Sequence, residues 1–306
     1  MVGVLIGFAI IVAVIGVGYL VGRFDLLGPD AQHVLSRLAF FVLSPALLFT
    51  VLGEADVSHL FSSLLPISAI AAVVDIAAFL VISLLVWKRP LPDATIGALA
   101  SGYVNANNIG LPVSVYVLGD ASSSAPVILL QLVVLAPIAL TVLDVATSGR
   151  VSITRILLQP VRNPLIIGSL LGVIVAVTRL HIPAPVLAPF ELVGGAAVPV
   201  ILLNFGMSLH GSRVLAPGTD RRDVLLASTL KLAAMPVIAW LLGEFVWHLH
   251  GHRLFVVVVL AALPTAQNVF NYAQRYGVAT VLARDTVLIT TALSIVVLVI
   301  VAALLA

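Results

Sequence analysis

Cysteine is absent from the chain, which excludes disulfides, thiolate metal sites and cysteine nucleophiles. Charge is nearly as scarce: Asp, Glu, Lys and Arg make up 9% of the 306 residues, against roughly 25% in soluble domains. With 61% of residues hydrophobic and a mean hydropathy of +1.23, so few charges cannot cover the apolar surface in water. The composition requires lipid as the solvent. Long polar stretches are missing too, and the short connections leave no room for a soluble domain.

What is present is a series of apolar runs close to the ~20 residues that cross a bilayer. Spans are predicted near 2–21, 34–52, 63–87, 94–119, 125–147, 163–180, 190–210, 224–247, 254–275 and 281–305. The first has no basic region before it and no small-residue cleavage pattern after it, so it reads as a retained span and not a signal peptide. Connections after odd-numbered spans hold Arg23, Arg37, Lys88, Arg89, Arg150, Arg155, Arg162, Arg213, Arg221, Arg222, Arg275 and Arg284. Those after even-numbered spans hold only Arg179 and Arg253. The positive-inside rule then places the odd connections in the cytoplasm and both termini outside. Basic residues scattered over short loops speak against nucleic acid as a partner; the lipid bilayer is the partner implied.

The second half echoes the first. Ser44-Pro45-Ala-Leu-Leu-Phe49 lies in the second span and Val198-Pro199-Val-Ile-Leu-Leu-Asn204-Phe205-Gly206 in the seventh. From Pro45 to Pro112 is 67 residues, and from Pro199 to Pro264 is 65. An odd number of spans per half makes the halves enter from opposite sides, the plan of inverted-repeat transporters. The predicted fold is an all-α membrane protein of ten transmembrane helices. Residues 1–147 form a first five-helix repeat, 148–162 a cytoplasmic connector and 163–306 a second repeat.

The fourth and ninth spans are interrupted where they should be most apolar. One reads Ser101-Gly-Tyr-Val-Asn105-Ala-Asn107-Asn108-Ile-Gly110-Leu-Pro112, the other Leu263-Pro264-Thr265-Ala-Gln267-Asn268-Val-Phe-Asn271. In hydrocarbon an unpaired backbone group costs several kcal/mol, so such a break persists only where protein or trapped water pairs it. A broken helix also offers a free N-terminus, an anion site, and half-helix N-termini are expected near Pro112 and Gln267. The substrate-binding candidates are therefore Asn105, Asn107, Asn108, Gly110, Pro112, Pro264, Gln267, Asn268 and Asn271, with Pro45 and Asn204 from the equivalent second spans. Amides without fixed charge suit a small carboxylate. Gly168, Gly172, Gly194 and Gly195 read as close helix packing.

The ordered set Gly22-Arg23, Ser44-Pro45-Ala-Leu-Leu-Phe49, Asn105-x-x-Asn108-x-Gly110-Leu-Pro112, Asn204-x-Gly206-Met207-x-Leu209 and Leu263-Pro264-Thr265 with Asn268 resembles the auxin efflux carrier family. Its prokaryotic members include proteins assigned to malonate or malate transport. The resemblance implies the inverted-repeat fold shared with bile-acid:sodium symporters. It implies a scaffold of spans one, two, six and seven that forms homodimers, and a moving unit of spans three to five and eight to ten. It also implies substrate at the crossing of spans four and nine, with Asn108 and Pro112 on one side and Pro264 and Asn268 on the other. The plant members' long loop between spans five and six is missing here, so auxin itself is not implied.

A charge inside a span costs about 2.5–3.5 kcal/mol on insertion scales, which makes each a functional candidate. Asp75, in Ala71-Ala-Val-Val-Asp75-Ile-Ala-Ala-Phe79, is a candidate for proton or ion coupling, with a structural pair to Lys231 as the alternative. Lys231 either attracts an anion or snorkels to the interface, the latter being the simpler reading. Asp144 and Glu244 lie near span ends and receive no role, and His248, His250 and His252 read as a solvated cluster. No cofactor or metal is predicted. Residues 264–271 carry no carboxylate for Na⁺, which favours coupling to H⁺ or none. The sequence thus points to a non-enzymatic secondary transporter of a small organic anion, such as malonate, malate or an auxin-like acid, in the plasma membrane. A sodium-coupled symporter and a non-transporting sensor or scaffold stay open as alternatives.

Overall fold

The computed structural model describes residues 2–28, 30–54, 63–148, 163–209 and 221–306. His59 (the nearest ionisable neighbour of Asp75 toward the N-terminus), connector residues 149–162 and Arg213 lie outside them. Among the described residues every regular segment is helical. In chain order these are α1 (Val2–Arg23), α2 (Ala31–Glu54), α3 (Leu65–Val86), α4 (Leu91–Gly102), α5 (106–118) and α6 (Ala121–Thr147). There follow α7 (Pro164–Thr178), α8 (Ala184–Ser208), α9 (Arg221–Val246), α10 (His252–Ala261), α11 (Gln267–Tyr276) and α12 (Thr280–Leu305). Six of them, α2, α3, α6, α8, α9 and α12, are long and apolar enough to cross a membrane. Of the other four expected spans, two correspond to the single helices α1 and α7. The remaining two correspond to the interrupted pairs α4/α5 and α10/α11.

Proline sets the local shape of these helices. Its ring nitrogen cannot donate to the carbonyl four residues back, and the ring crowds that carbonyl. Ahead of Pro45, Pro112, Pro137 and Pro236 the helix widens by one residue per turn, at Ala39–Leu43, Ala106–Gly110, Gln131–Leu135 and Leu230–Ala234. Ser44, Ala136 and Met235, each just before a proline, donate five residues back, to Ala39, Gln131 and Leu230. Widening re-routes the ladder around the missing donor, so no segment of backbone is left bare in a solvent that cannot hydrate it.

α1 packs along α8, and α2 along α7 and α8. α3 packs on α4 and α9; α4 also meets α6, α9, α11 and α12, and α12 meets α9, α10 and α11. Where α1 crosses α8 the backbones nearly touch: a Cβ on Gly206 would stand 2.1 Å from the Ile15 carbonyl oxygen. Such close approach is how helices gain dispersion energy in lipid, where burial against a neighbour removes no apolar surface from water. Gly168 approaches Pro45 of α2 in the same manner, whereas Gly195, expected to be a contact, faces open space. On the polar side, Arg89 in the α3–α4 connection bonds the Asp223 carboxylate at 2.5 Å, and Arg284 bonds Asp285 at 2.8 Å. Both carboxylates are buried near the starts of α9 and α12, where the helix dipole favours negative charge. His250 faces Glu244 at 3.6 Å, and the Tyr276 hydroxyl donates to Asp144 at 2.7 Å, so two carboxylates read as roleless have local partners.

Left-handed residues recur at matching places. Asp25 and Arg179 follow α1 and α7 with φ of 47° and 51°. Lys88 and His248 follow α3 and α9 with φ of 53° and 50°, and Gly119 and Gly277 follow α5 and α11 with φ of 74° and 67°.

The glycine packing predicts a contrast. Gly206→Ala forces α1 and α8 apart at a cost of about 1–3 kcal/mol, while Gly195→Ala is neutral or slightly stabilising. Thermal melting of the purified protein in detergent checks this; equal melting temperatures for the two variants would contradict the packing described.

Candidate functional site

α4 ends at Gly102 because Tyr103 turns to an extended conformation (φ −96°, ψ 106°). Asn105 then makes a tight reverse turn (φ −78°, ψ 61°), in which the Ala106 N–H bonds the Val104 carbonyl at 2.8 Å. α10 ends at Ala261, and the chain is extended again at Ala266 (φ −70°, ψ 140°) before α11 starts. The two breaks lie against each other, with Val104 and Thr265 forming an antiparallel bridge. The Asn105 N–H donates to the Pro264 carbonyl at 2.8 Å, and the Ala266 N–H donates to the Tyr103 carbonyl at 3.0 Å. The Thr265 hydroxyl donates to the Ala100 carbonyl at 2.6 Å, and the Thr265 N–H donates to the Thr290 hydroxyl at 3.1 Å. Proline suits position 264, since its carbonyl is needed and a donor there is not. Backbone groups freed by one break are thus paired largely by the other.

The structure brings most of the expected residues to this crossing. Asn105, Gly110, Pro112 and Pro264 are buried, Asn107, Asn108 and Asn268 half-buried, and Gln267 and Asn271 exposed. One expectation needs correction. The second half of the broken span restarts at Ala106 and not near Pro112, which lies inside a helix already under way. The reason is Asn105, whose side-chain oxygen accepts the Asn108 N–H at 3.1 Å and caps the new helix. α11 starts at Gln267 as expected and has no side-chain cap. The two half-helix N-termini therefore differ: one is closed by its own asparagine and the other offers free N–H groups. Asn107 donates to the Asn108 side chain at 2.9 Å, which leaves the Asn107 oxygen without a partner.

Two candidates sit elsewhere. Pro45 packs against Gly168 between α2 and α7. Asn204 donates its amide to the Ser36 hydroxyl at 2.8 Å, tying α8 to α2. Phe205, next along, lines a small apolar cavity with Ile109 and Val113 of α5 and Thr291 of α12, so α8 reaches the crossing through a neighbour of the residue singled out.

Asp75 and Lys231 are fully buried, and each is the charged group that acts on the other. The snorkelling reading of Lys231 is overturned. Its ammonium donates to the Ala261 carbonyl at 3.0 Å and contacts the Met235 sulfur at 2.6 Å, inside the protein. Ala261 is the last residue of α10, so the lysine covers the negative end of that half-helix at the break. Asp75 lies in the corresponding position beside the end of α4, where Ser101 donates to its backbone carbonyl at 3.3 Å. Neither Asp75 carboxylate oxygen has a hydrogen-bond partner among the described residues.

Sequence reasoning passed over Tyr103, Thr265 and Gln131. The Tyr103 hydroxyl is buried and faces Asn268 and Tyr272 of α11 without a completed hydrogen bond. Gln131 is buried in α6 with its side-chain oxygen unpartnered. Tyr103 and Thr265 stand inside the two interrupted motifs, and Gln131 is an uncharged amide in an apolar span; attention to asparagines and prolines hid all three.

Comparison with known proteins finds relatives along nearly the whole chain. The family model described as "Membrane transport protein" matches residues 4–147 and 148–302. The chain is 26% identical over 286 residues to a "Putative malonate transporter" of Rhizobium meliloti (strain 1021), covering 91% of this chain and 88% of that protein. It is 28% identical over 253 residues to an "Uncharacterized transporter" of Methanothermobacter thermautotrophicus, covering 81% of each. A similar transporter of Methanocaldococcus jannaschii is 22% identical over 301 residues, 94% of each chain. A multi-pass helical protein whose sequence matches this model from end to end, with its interrupted segments crossed as described, belongs to the membrane transport protein family, that of the auxin efflux carriers and their prokaryotic relatives.

Proposed function

We propose that the protein is a secondary transporter of a small organic anion, a carboxylate of the size of malonate or malate, held where the two interrupted helices cross. The observation that carries this reading is the reciprocal pairing of Asn105 with Pro264 and of Ala266 with Tyr103. It leaves the uncapped start of α11 and the amides of Asn107, Asn108 and Asn268 a few residues along the chain from the bridge, with no fixed negative charge in residues 264–271. A helix N-terminus without a cap favours an anion. The relative named as a malonate transporter supports the substrate class.

Alternating access is the mode of movement in this reading. α11 presents Gln267, Asn271, Gln274 and Arg275 as an exposed polar face, which in a membrane requires an aqueous cavity on that side. The packing of α1 on α8 and of α2 on α7 and α8 supports a scaffold against which α3–α6 and α9–α12 move; in this reading the scaffold also joins two copies in a homodimer. The matching left-handed residues support two inverted repeats, 1–147 and 163–306, and the distribution of basic residues supports both termini outside the plasma membrane. Asp75, buried beside Lys231 with no hydrogen bond to its carboxyl oxygens, is the site assigned to proton coupling.

Two experiments test this. In proteoliposomes, uptake of radiolabelled malonate or malate is expected, and Asn108→Ala and Asn268→Ala each lower it by at least about tenfold, a loss near 1.4 kcal/mol, with insertion unchanged. No uptake of any carboxylate tried, or near-normal uptake by both variants, would remove the crossing as the site. For coupling, Asp75→Asn is expected to abolish the stimulation of uptake by an imposed pH gradient. Unchanged stimulation would place the proton on another group.

A further inference from the structure

α11 carries a polar stripe that the pairing of the two breaks does not require. Gln267, Asn271, Gln274 and Arg275, spaced i, i+4, i+7 and i+8, share one face of the helix, and all four are exposed. Arg275 is the single fixed charge of α11. It stands at the opposite end from the uncapped start at Gln267, a rise of about 12 Å away. A guanidinium within a span is commonly paired with a carboxylate. One is close by, since Asp144 of α6 accepts the Tyr276 hydroxyl at 2.7 Å. Among the described residues Arg275 nonetheless makes no ion pair; its guanidinium lies over the Tyr276 ring, 5.4 Å from the centroid. Its charge also acts on the Tyr272 hydroxyl, about one turn nearer the break. Tyr272 in turn faces the buried Tyr103 hydroxyl, which lacks a completed hydrogen bond and looks onto Asn268 in the first turn of α11. Unpaired positive charge at one end, unfilled polar groups at the other and amides between them grade the attraction for an anion. Coulomb attraction acts at long range, and hydrogen-bond donors take over at short range.

The other restarted helix has no such stripe. Counted back from the left-handed glycines that follow the two helices, Gly119 and Gly277, the four positions correspond to Ile109, Val113, Tyr116 and Val117 of α5. Ile109, Val113 and Val117 are buried, and the first two line the small apolar cavity shared with α1, α8 and α12. Apolar packing closes the approach along α5, whereas the approach along α11 is polar and charged.

We propose that the stripe of Gln267, Asn271, Gln274 and Arg275 is the route by which a small carboxylate reaches the break, with Arg275 as its outer, recruiting station. This deepens the transport reading and rests on it. An exposed cation at the mouth of a cleft raises the local concentration of anions and their rate of encounter, and salt screens that effect. Because it acts before the substrate is seated, its contribution is expressed in KM and not in kcat.

The test uses the full-length protein in neutral phosphatidylcholine vesicles, with radiolabelled malonate and malate as probes. Wild-type KM is expected to rise about threefold between about 0.01 M and about 0.15 M choline chloride, as the screening length falls from ~30 to ~8 Å. Arg275→Cys, in a chain without native cysteine, is expected to raise KM about fivefold at low salt with kcat within about twofold. Reaction of the new thiol with a trimethylammonium-ethyl methanethiosulfonate is expected to return KM to within about twofold of wild type, and the sulfonatoethyl reagent to raise it further. A salt-independent wild-type KM would overturn the proposal whether or not the variant folds. So would equal effects of the two reagents, or a thiol that neither modifies. Uptake that is lost in Asn268→Ala but indifferent to the charge at position 275 would overturn the recruiting route and leave the crossing as the site. No carboxylate uptake by the wild type would refute the cargo and the route together.

Discussion

Two main-chain hydrogen bonds, Asn105 to Pro264 and Ala266 to Tyr103, fix where every other group at the crossing stands. Each interrupted helix exposes backbone donors and acceptors that hydrocarbon cannot satisfy, at several kcal/mol apiece. Alone, either break would be expelled from the membrane or refolded into continuous helix. Laid against each other as a short antiparallel pair, they satisfy one another, and the Thr265 hydroxyl covers Ala100, a carbonyl near the end of α4. Two extended segments can therefore persist among helices, and each depends on the other.

Once the breaks are paired, the four half-helix ends they create are treated differently. Asn105 caps the start of α5, and Lys231 covers the end of α10. Asp75 stands beside the end of α4, opposite in sign to its counterpart, and α11 keeps an uncapped start. Two paired breaks with unequal chemistry leave one uncapped, positive helix end, the start of α11, where Gln267 and Asn268 carry uncharged amides. In the proposed reading, selectivity for a small anion rests on that inequality more than on any single side chain.

Much of this was legible before any coordinates. The two interrupted motifs stood out because asparagine, glycine and proline are costly in a span, and both breaks fall within a few residues of where those motifs lie. Segment boundaries followed from apolar length, and α11 starts at the expected Gln267. The start of α5 lies away from Pro112 although proline commonly opens a helix, and local sequence does not disclose that Asn105 caps it seven residues earlier. Lys231 was misread because a lysine in a span usually reaches for the interface. Only tertiary structure reveals that a carbonyl of another helix lies within its reach. Asn204 followed a family motif, yet its partner is Ser36, a helix-to-helix tie invisible in the spacing.

The absence of native cysteine permits a direct test of the crossing. Val104→Cys and Thr265→Cys, placed at the two residues that face each other in the bridge, should lie within the ~4.4–6.8 Å Cα separation a disulfide spans. With a protease site introduced at residues 211–220, a membrane-permeant oxidant should hold the two fragments together on a non-reducing gel, and reductant should release them. Fragments that separate after oxidation in protein carrying both cysteines would contradict the crossing, and with it the site proposed for the anion.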